Sequence, residues 1–144
     1  MPELKTQGLE LKPILLIEDD SIDAMTVKRA LNELKVKNKL THFTNCEDAL
    51  EYLQNGADKG VCVILLDLNL PGMNGVEFLK LAKANGVLKN IPVVMLAASQ
   101  QEEDIVKTFN LGVAGYIFKP ANTKKFEEFE PIKRYWTTER TNKE

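Results

Sequence analysis

The sequence lacks the features that mark several common classes of protein. No apolar run comes near the roughly 20 residues of a membrane-spanning helix, and residues 1–10 contain no apolar signal-peptide core. The net charge is only −2, which offers no basic surface for nucleic acid. The two cysteines, Cys46 and Cys62, form no C-x-x-C pair, so we expect free thiols in a reducing compartment. These absences predict a cytoplasmic chain that binds neither membranes nor nucleic acid.

Short apolar runs alternate with helical patterns along the 144 residues, a length typical of one domain. The runs predict strands at 13–17, 38–44, 61–66, 91–98 and 115–118. The strand-helix alternation occurs five times, which predicts a parallel sheet with helices on both faces. The lone histidine, His42, is expected to be a partly exposed residue of the second strand rather than a ligand or a base.

Two of the predicted helices carry specific expectations. Ser21 is expected to cap the first helix, whose apolar residues recur near helical spacing: Ile22, Met25, Val27, Ala30, Leu31 and Leu34. Asn122 or Thr123 is expected to cap the last helix, whose apolar stripe is Phe126, Phe129, Ile132 and Trp136. Pro131 lies inside this last pattern and is expected to kink or split the helix, because proline removes a backbone donor.

Charged side chains follow three of the predicted strands. Glu18 and Asp19 follow the first strand, Asp67 follows the third, and Lys119 follows the fifth. A loop at 71–75, rich in proline and glycine, comes soon after Asp67. Ligands of open α/β sheets bind in the crevice at the carboxyl ends of the strands, so these groups are placed for chemistry. An acid after a strand is also a common helix N-cap, and this simpler interpretation stays open for Asp19 and Asp20.

Such a cluster of acids has a chemical consequence. Two carboxylates ~4 Å apart repel by about 4 kcal/mol at an effective dielectric near 20, so the cluster needs a cation or a proton. Mg²⁺ is a hard ion that binds carboxylates, waters and phosphate oxygens. A carboxylate is also a competent nucleophile that forms an acyl phosphate, and Lys119 offers a compact charge suited to phosphate. We therefore expect Asp67 to accept a phosphoryl group.

Four segments together resemble the response-regulator receiver domain of two-component signalling: 14–20, 65–75, 91–96 and 115–120. The resemblance covers about 12–136 and implies a flavodoxin-like, doubly wound sheet of five strands in the order 2-1-3-4-5. It implies a receiver domain at 12–138 between tails at 1–11 and 139–144. The closing segment 132–136 more weakly resembles stand-alone, phytochrome-associated response regulators.

The resemblance also implies roles for single residues. Asp67 would be phosphorylated by a sensor or hybrid histidine kinase or a phosphotransfer protein. Glu18, Asp19, Asp67 and the main-chain carbonyl of Asn69 would hold Mg²⁺. Lys119 would contact the phosphoryl group. The peptide bond between Lys119 and Pro120 would be cis. Asn69 and Ser99 would tune the lifetime of the acyl phosphate, which the chain hydrolyses itself without acting on a separate substrate.

One position departs from the family pattern. The family has Thr or Ser at the end of the fourth strand, where the hydroxyl grips the phosphoryl group, and here that position is Ala97. Tyr116 resembles the switch aromatic that turns inward on activation, so Ala97 bears on how phosphorylation reaches Tyr116. Ser99, two residues further on, is our hypothesis for a substitute.

Output is expected through protein contacts or onward phosphotransfer, because too few residues follow Trp136 for a second domain. The family's usual contact face combines the fourth helix, the fifth strand and the fifth helix, and it is also a candidate for a homodimer. Here this face would carry Glu102, Glu103, Asp104, Lys107, Tyr116 and residues 126–136, with Trp136 as an anchor.

Three other functions compete with this one. A pseudo-receiver would switch without phosphate, which Ala97 favours and the intact Asp67 and Lys119 oppose. A phosphatase of the haloacid-dehalogenase type also uses an aspartyl nucleophile and Mg²⁺, but it needs a second Asp where this chain has Asn69. A flavodoxin-like cofactor binder needs a phosphate loop after the first strand, where acidic residues 18–20 would repel phosphate.

Overall fold

The computed structural model describes residues 11–56, 60–86, 88–98, 102–119, 121, 129–130 and 133–137. Strands and helices alternate along the chain. The strands are β1 Ile14–Ile17, β2 Leu40–Phe43, β3 Val63–Asp67, β4 Val93–Ala97 and β5 Gly115–Phe118. The helices are α1 Ser21–Glu33, α2 Cys46–Gly56, α3 Gly75–Ala84, α4 Glu102–Asn110 and α5 Lys133–Thr137, with a 3-10 turn at Leu88–Asn90. Within these ranges, no helix is both long and apolar enough to cross a membrane.

The strands form one parallel sheet in the order β2-β1-β3-β4-β5, which confirms the predicted flavodoxin-like order 2-1-3-4-5. The three central strands are fully buried, as expected when helices cover both faces, whereas the edge strand β2 is half-buried. Successive residues of the central strands point to opposite faces. α2 and α3 pack against one face, and α1 packs with Phe129 against the other.

The buried face of α1 differs from the predicted stripe. Ile22 and Met25, two of the apolar residues that recur near helical spacing, are 71% and 55% exposed and therefore lie outside the core. The helix instead buries Ala24, Val27, Ala30 and Leu31. A helix turns by about 100° per residue, and the face centred on Val27 leaves Ile22 and Met25 on the solvent side.

The first helix begins and ends by local hydrogen bonds. Its N-cap is Asp20 rather than Ser21, because the Asp20 carboxylate accepts hydrogen bonds from the amides of Ile22 and Asp23, both at 2.9 Å. The helix ends where Lys35 adopts a positive φ of 62°. The first turn of α1 therefore begins directly after the acidic residues that follow β1.

Part of the last helix lies within the described residues. Phe129 is buried against the sheet, as predicted. Trp136 lies in α5, and the other predicted positions of this segment, namely Asn122, Thr123, Phe126, Ile132 and the proline at 131, lie outside the described residues.

Both cysteines are free, as predicted, and the structure shows that both are buried. Burial raises the pKa of Cys46 and of Cys62 to about 12. Both thiols therefore stay protonated at neutral pH, and each packs as a small apolar side chain.

Candidate functional site

The parallel pairing of β1 with β3 brings the predicted acids together. Ile17 pairs with Leu66, so the next residues, Glu18 and Asp67, emerge side by side at the carboxyl edge of the sheet. Glu18 is 0% exposed and Asp67 is 3% exposed, whereas Asp19 is exposed. One carboxylate oxygen from each of the three residues lies within 4.8 Å of the others. The three acids thus form one cluster with two buried members.

Lys119 reaches this cluster from β5. Its Nζ atom lies 3.0 Å from Glu18 Oε1 and 3.2 Å from Asp67 Oδ1. β4 lies between β3 and β5, so the lysine side chain must cross the end of β4, where Ala97 presents only a methyl group. The amide of Lys119 donates to the Ala97 carbonyl at 2.8 Å, which places the start of the side chain at that edge.

Asp23 is a member of the site that the sequence did not reveal. Its Oδ2 atom accepts a hydrogen bond of 3.0 Å from Lys119 Nζ, so the ammonium contacts three carboxylates. The sequence showed Asp23 only as an acid in the first turn of α1. The signal that was available is its place one turn beyond Asp20, because a helix that starts at the pocket brings its first turn close to the pocket.

The charges of the cluster are unevenly balanced. Burial, together with a hydrogen bond to Asp67 and the charge of Asp67, raises the pKa of Glu18 to about 8, although Lys119 partly opposes this. Burial alone would lower the pKa of Lys119, but its close contacts with the Glu18 and Asp23 carboxylates raise it above the ordinary range. Lys119 is therefore charged, and one lysine does not neutralise both buried acids.

The remaining deficit fits a divalent cation. Glu18 Oε1 lies near Lys119 Nζ as an ion pair, but it is buried and accepts no well-oriented hydrogen bond within the described part of the chain. The other oxygen, Oε2, accepts from the Asp20 amide at 3.2 Å. The buried Oε1 atom can accept a further contact, and two more carboxylates lie beside it. Carboxylate oxygens are hard ligands of the type that Mg²⁺ and Mn²⁺ prefer.

The loop after β3 supports Asp67 from behind. A Cβ atom on Gly75 would lie 2.8 Å from the Asp67 carbonyl oxygen and 3.0 Å from Leu68 Cα, so only glycine allows this close approach. The Asn69 amide donates to Asp67 Oδ1 at 3.1 Å, and the Asn69 side chain is exposed. The predicted loop at 71–75 is confirmed, and α3 begins at its end with Asn74 as N-cap.

The two described switch candidates, Ala97 and Tyr116, lie on β4 and β5. Ala97 is buried at the end of β4. The Tyr116 hydroxyl lies 2.8 Å from Thr108 Oγ1 and donates to the Ile105 carbonyl at 3.0 Å. Thr108 is a fully buried polar residue that the sequence did not reveal, because only the packing of α4 on β5 brings it to Tyr116. Ser99 and Pro120 lie outside the described residues.

Comparisons with known proteins agree with this geometry. The family model of the response regulator receiver domain matches residues 14–129. Response regulator Rcp1 of Synechocystis sp. is 35% identical over 130 residues, which cover 87% of this chain and 88% of Rcp1. The solved Mn²⁺-bound form of Rcp1 has a TM-score of 0.72 at 35% identity, covering 87% of this chain and 94% of that chain.

Two further solved structures are similar. The bacteriophytochrome response regulator RtBRR has a TM-score of 0.76 at 40% identity, covering 85% of this chain and 78% of that chain. The phosphorylated cyanobacterial phytochrome response regulator RcpA has a TM-score of 0.75 at 33% identity, covering 91% of this chain and 99% of that chain.

The raised pKa of Glu18 predicts how stability depends on pH when a chelator is present. Between pH 4.5 and about 8, the folded chain keeps a proton on Glu18 that the unfolded chain releases. The free energy of unfolding should therefore fall as the pH rises through this range, by at most about 1.4 kcal/mol per pH unit for one proton. Glu18→Gln, which cannot ionise, should remove this dependence in urea denaturation series with EDTA.

The exposed acid Asp19 offers the matched control for that series. Asp19→Asn should keep the pH dependence of the native chain. Equal slopes for the native chain and Glu18→Gln would contradict the prediction.

Proposed function

The chain belongs to the response regulator receiver domain family of two-component signalling, and on that premise we propose that Asp67 accepts a phosphoryl group and that the signal leaves by protein contact or onward phosphotransfer. The observation that carries the proposal is the position of Asp67. Its carboxylate is buried at the end of β3, 3.2 Å from the ammonium of Lys119 and next to Glu18 and Asp19.

The proposed reaction begins with a phosphohistidine on a sensor or hybrid histidine kinase or a phosphotransfer protein. A carboxylate oxygen of Asp67 attacks the phosphorus, an O–P bond forms, and the P–N bond of the donor breaks. The leaving imidazole nitrogen takes up a proton. Lys119 would supply a fixed positive charge that stabilises the negative charge spread over the oxygens of the transferred group in the transition state.

Glu18, Asp19, Asp67 and the main-chain carbonyl of Asn69 would hold Mg²⁺. The ion, when bound, supplies positive charge that neutralises the phosphoryl oxygens. Rcp1 has been solved with Mn²⁺, an ion of the same oxygen-seeking type. The feature of this chain that supports the assignment is the buried Oε1 atom of Glu18, which accepts no well-oriented hydrogen bond within the described residues.

The chain would also hydrolyse its own acyl phosphate. Water attacks the phosphorus, the O–P bond to Asp67 breaks, and inorganic phosphate leaves. Asn69 is exposed two residues after Asp67 and would flank the path of this water, together with Ser99. Their side chains would then set how long the signal lasts.

We keep the domain bounds at 12–138, with tails at 1–11 and 139–144, and a cytoplasmic location. The span of the family match at 14–129 supports the bounds. The two buried, free thiols support a reducing compartment.

Intact mass spectrometry tests the phosphoacceptor. Native chain incubated with acetyl phosphate and Mg²⁺ should gain one phosphoryl adduct. Asp67→Asn should gain none, because an amide oxygen is a poor nucleophile, and EDTA should suppress the adduct in the native chain.

Asp20→Asn is the matched control, because Asn also caps a helix well and Asp20 lies outside the metal cluster. This variant should still gain the adduct. Absence of an adduct from the native chain, with Mg²⁺ binding measurable by calorimetry, would contradict the proposal in favour of a pseudo-receiver. Turnover of an added phosphomonoester would instead indicate the phosphatase.

The coupling of Asp67 to Tyr116 is the least conventional part of the site. The Ala97 methyl group cannot bond a phosphoryl oxygen, and the Tyr116 hydroxyl is already bound to α4 through Thr108 and the Ile105 carbonyl. We propose that Ser99, which precedes α4, supplies the missing hydroxyl and transmits phosphorylation through that helix.

NMR of the tyrosine rings tests this route. Phosphorylation should shift the Tyr116 signals of the native chain, and Ser99→Ala should attenuate this shift without preventing adduct formation. Thr108→Val, which removes a hydroxyl that contacts Tyr116, should move the same signals even before phosphorylation. An unchanged phosphorylation shift in Ser99→Ala would rule out Ser99 as the coupling group.

The proposed contact face includes α4. Val106 and Phe109 lie one turn apart on this helix and are 55% and 69% exposed. Two neighbouring apolar side chains of this size suit a partner surface or a homodimer through the α4-β5-α5 face.

Sedimentation velocity tests the homodimer. If the native chain dimerises with acetyl phosphate and Mg²⁺, Phe109→Ser should weaken the dimer by roughly tenfold or more, the effect of losing a central apolar anchor. Met25→Ser removes another exposed apolar side chain, 55% exposed on α1, and should leave the dimer unchanged. A monomeric native chain under these conditions would contradict the homodimer.

A further inference from the structure

His42 has a contact that its position on the edge strand does not suggest. It is the lone histidine of the chain and lies half-buried in β2. Its Nε2 atom lies 2.9 Å from the main-chain carbonyl oxygen of Glu18. A carbonyl oxygen only accepts hydrogen bonds, so Nε2 must carry the proton in this contact. The geometry therefore selects one form of the imidazole ring.

The contact extends the β1–β2 pairing beyond the end of the sheet. His42 pairs with Leu16 in the register, so its ring leans two residues toward the carboxyl end of β1. The Glu18 amide still donates to the Phe43 carbonyl at 3.0 Å, but β2 ends at Phe43. The imidazole provides a donor for the Glu18 carbonyl where β2 has ended.

The peptide unit held in this way joins two members of the acidic cluster. The unit between Glu18 and Asp19 is planar, so fixing its carbonyl oxygen also fixes its amide and the start of Asp19. Asp19 is the exposed acid of the cluster, at the turn that leads into α1. Without the imidazole, the Glu18 carbonyl would lose its donor on the β2 side, and the turn would have greater freedom to rotate.

We propose that His42 is a positioning residue for the acidic pair, holding the Glu18–Asp19 peptide so that both carboxylates face the pocket before a cation arrives. The inference rests on the proposed function, since it assigns His42 to the same Mg²⁺ site. Groups that orient the ligands of a metal typically change its affinity by about 10- to 100-fold when they are removed.

Substitution of His42 by Gln or by Asn distinguishes a positioning role of the side chain from a general effect of its polarity. The amide nitrogen of Gln reaches about as far as Nε2 of histidine, whereas that of Asn stops near Nδ1. His42→Gln should bind Mg²⁺ within about threefold of the native chain, and His42→Asn should lose about tenfold, both measured by calorimetry. Thermal unfolding of both variants shows whether a loss of Mg²⁺ affinity results only from a loss of stability of the fold.

The ring itself gives an independent readout. Because the chain has one histidine, a long-range ¹H–¹⁵N spectrum contains the signals of His42 alone. The native ring should show the neutral tautomer that carries its proton on Nε2, as the contact with the Glu18 carbonyl requires. Its signals should move on titration with Mg²⁺ and saturate at the concentration that calorimetry gives.

The outcomes distinguish failure of this inference from failure of the proposed function. If the native chain binds Mg²⁺ and gains the phosphoryl adduct, but His42→Asn binds Mg²⁺ as tightly or the ring is protonated at Nδ1, the positioning role is wrong and the function stands. If the native chain neither binds Mg²⁺ nor gains the adduct, both are wrong. Weaker binding in His42→Asn, with near-native binding in His42→Gln, supports the positioning role.

Discussion

The ion pairs of Lys119 are the interaction on which the rest of the site depends. Two carboxylates, those of Glu18 and Asp67, are removed from water at the end of a buried sheet, and an uncompensated buried charge is strongly destabilising. The Lys119 ammonium lies within 3.2 Å of both and is itself held by Asp23 at 3.0 Å. The ammonium therefore offsets part of the electrostatic cost of placing two acids together in a buried position.

The lysine leaves part of the negative charge of the cluster uncompensated. The binding of a proton, of a metal ion or of a phosphoryl group would each change this remaining charge. The pKa of Glu18, raised to about 8, means that a proton occupies the cluster at neutral pH when no other cation is present. A divalent cation would replace that proton, and a phosphoryl group on Asp67 would remove one carboxylate charge while adding its own. The same imbalance that costs stability would therefore favour binding of the ligands of the proposed reaction.

The site and the proposed output face use different parts of the fold. β1, β3 and the first turn of α1 hold the acids, with His42 and Gly75 supporting the backbone behind them. α4 and β5 hold Tyr116 through Thr108 and Ile105. Lys119 follows β5 directly in the chain, and its ammonium forms ion pairs with Glu18 and Asp67, so this residue links the two parts.

The sequence by itself determined the alternation of strands and helices, the parallel sheet, and four candidate site residues at or just after strand ends: Glu18, Asp19, Asp67 and Lys119. These follow from local periodicity, and from the rule that the carboxyl ends of parallel strands share one edge. Only the tertiary structure decided that Asp20 rather than Ser21 caps α1, that Ile22 and Met25 face solvent, and that Asp23, Thr108 and His42 make their contacts. Each of these depends on how a helix is rotated against the sheet or on which strand lies beside which. Such contacts join residues far apart in the sequence, so they have no signature in the local pattern.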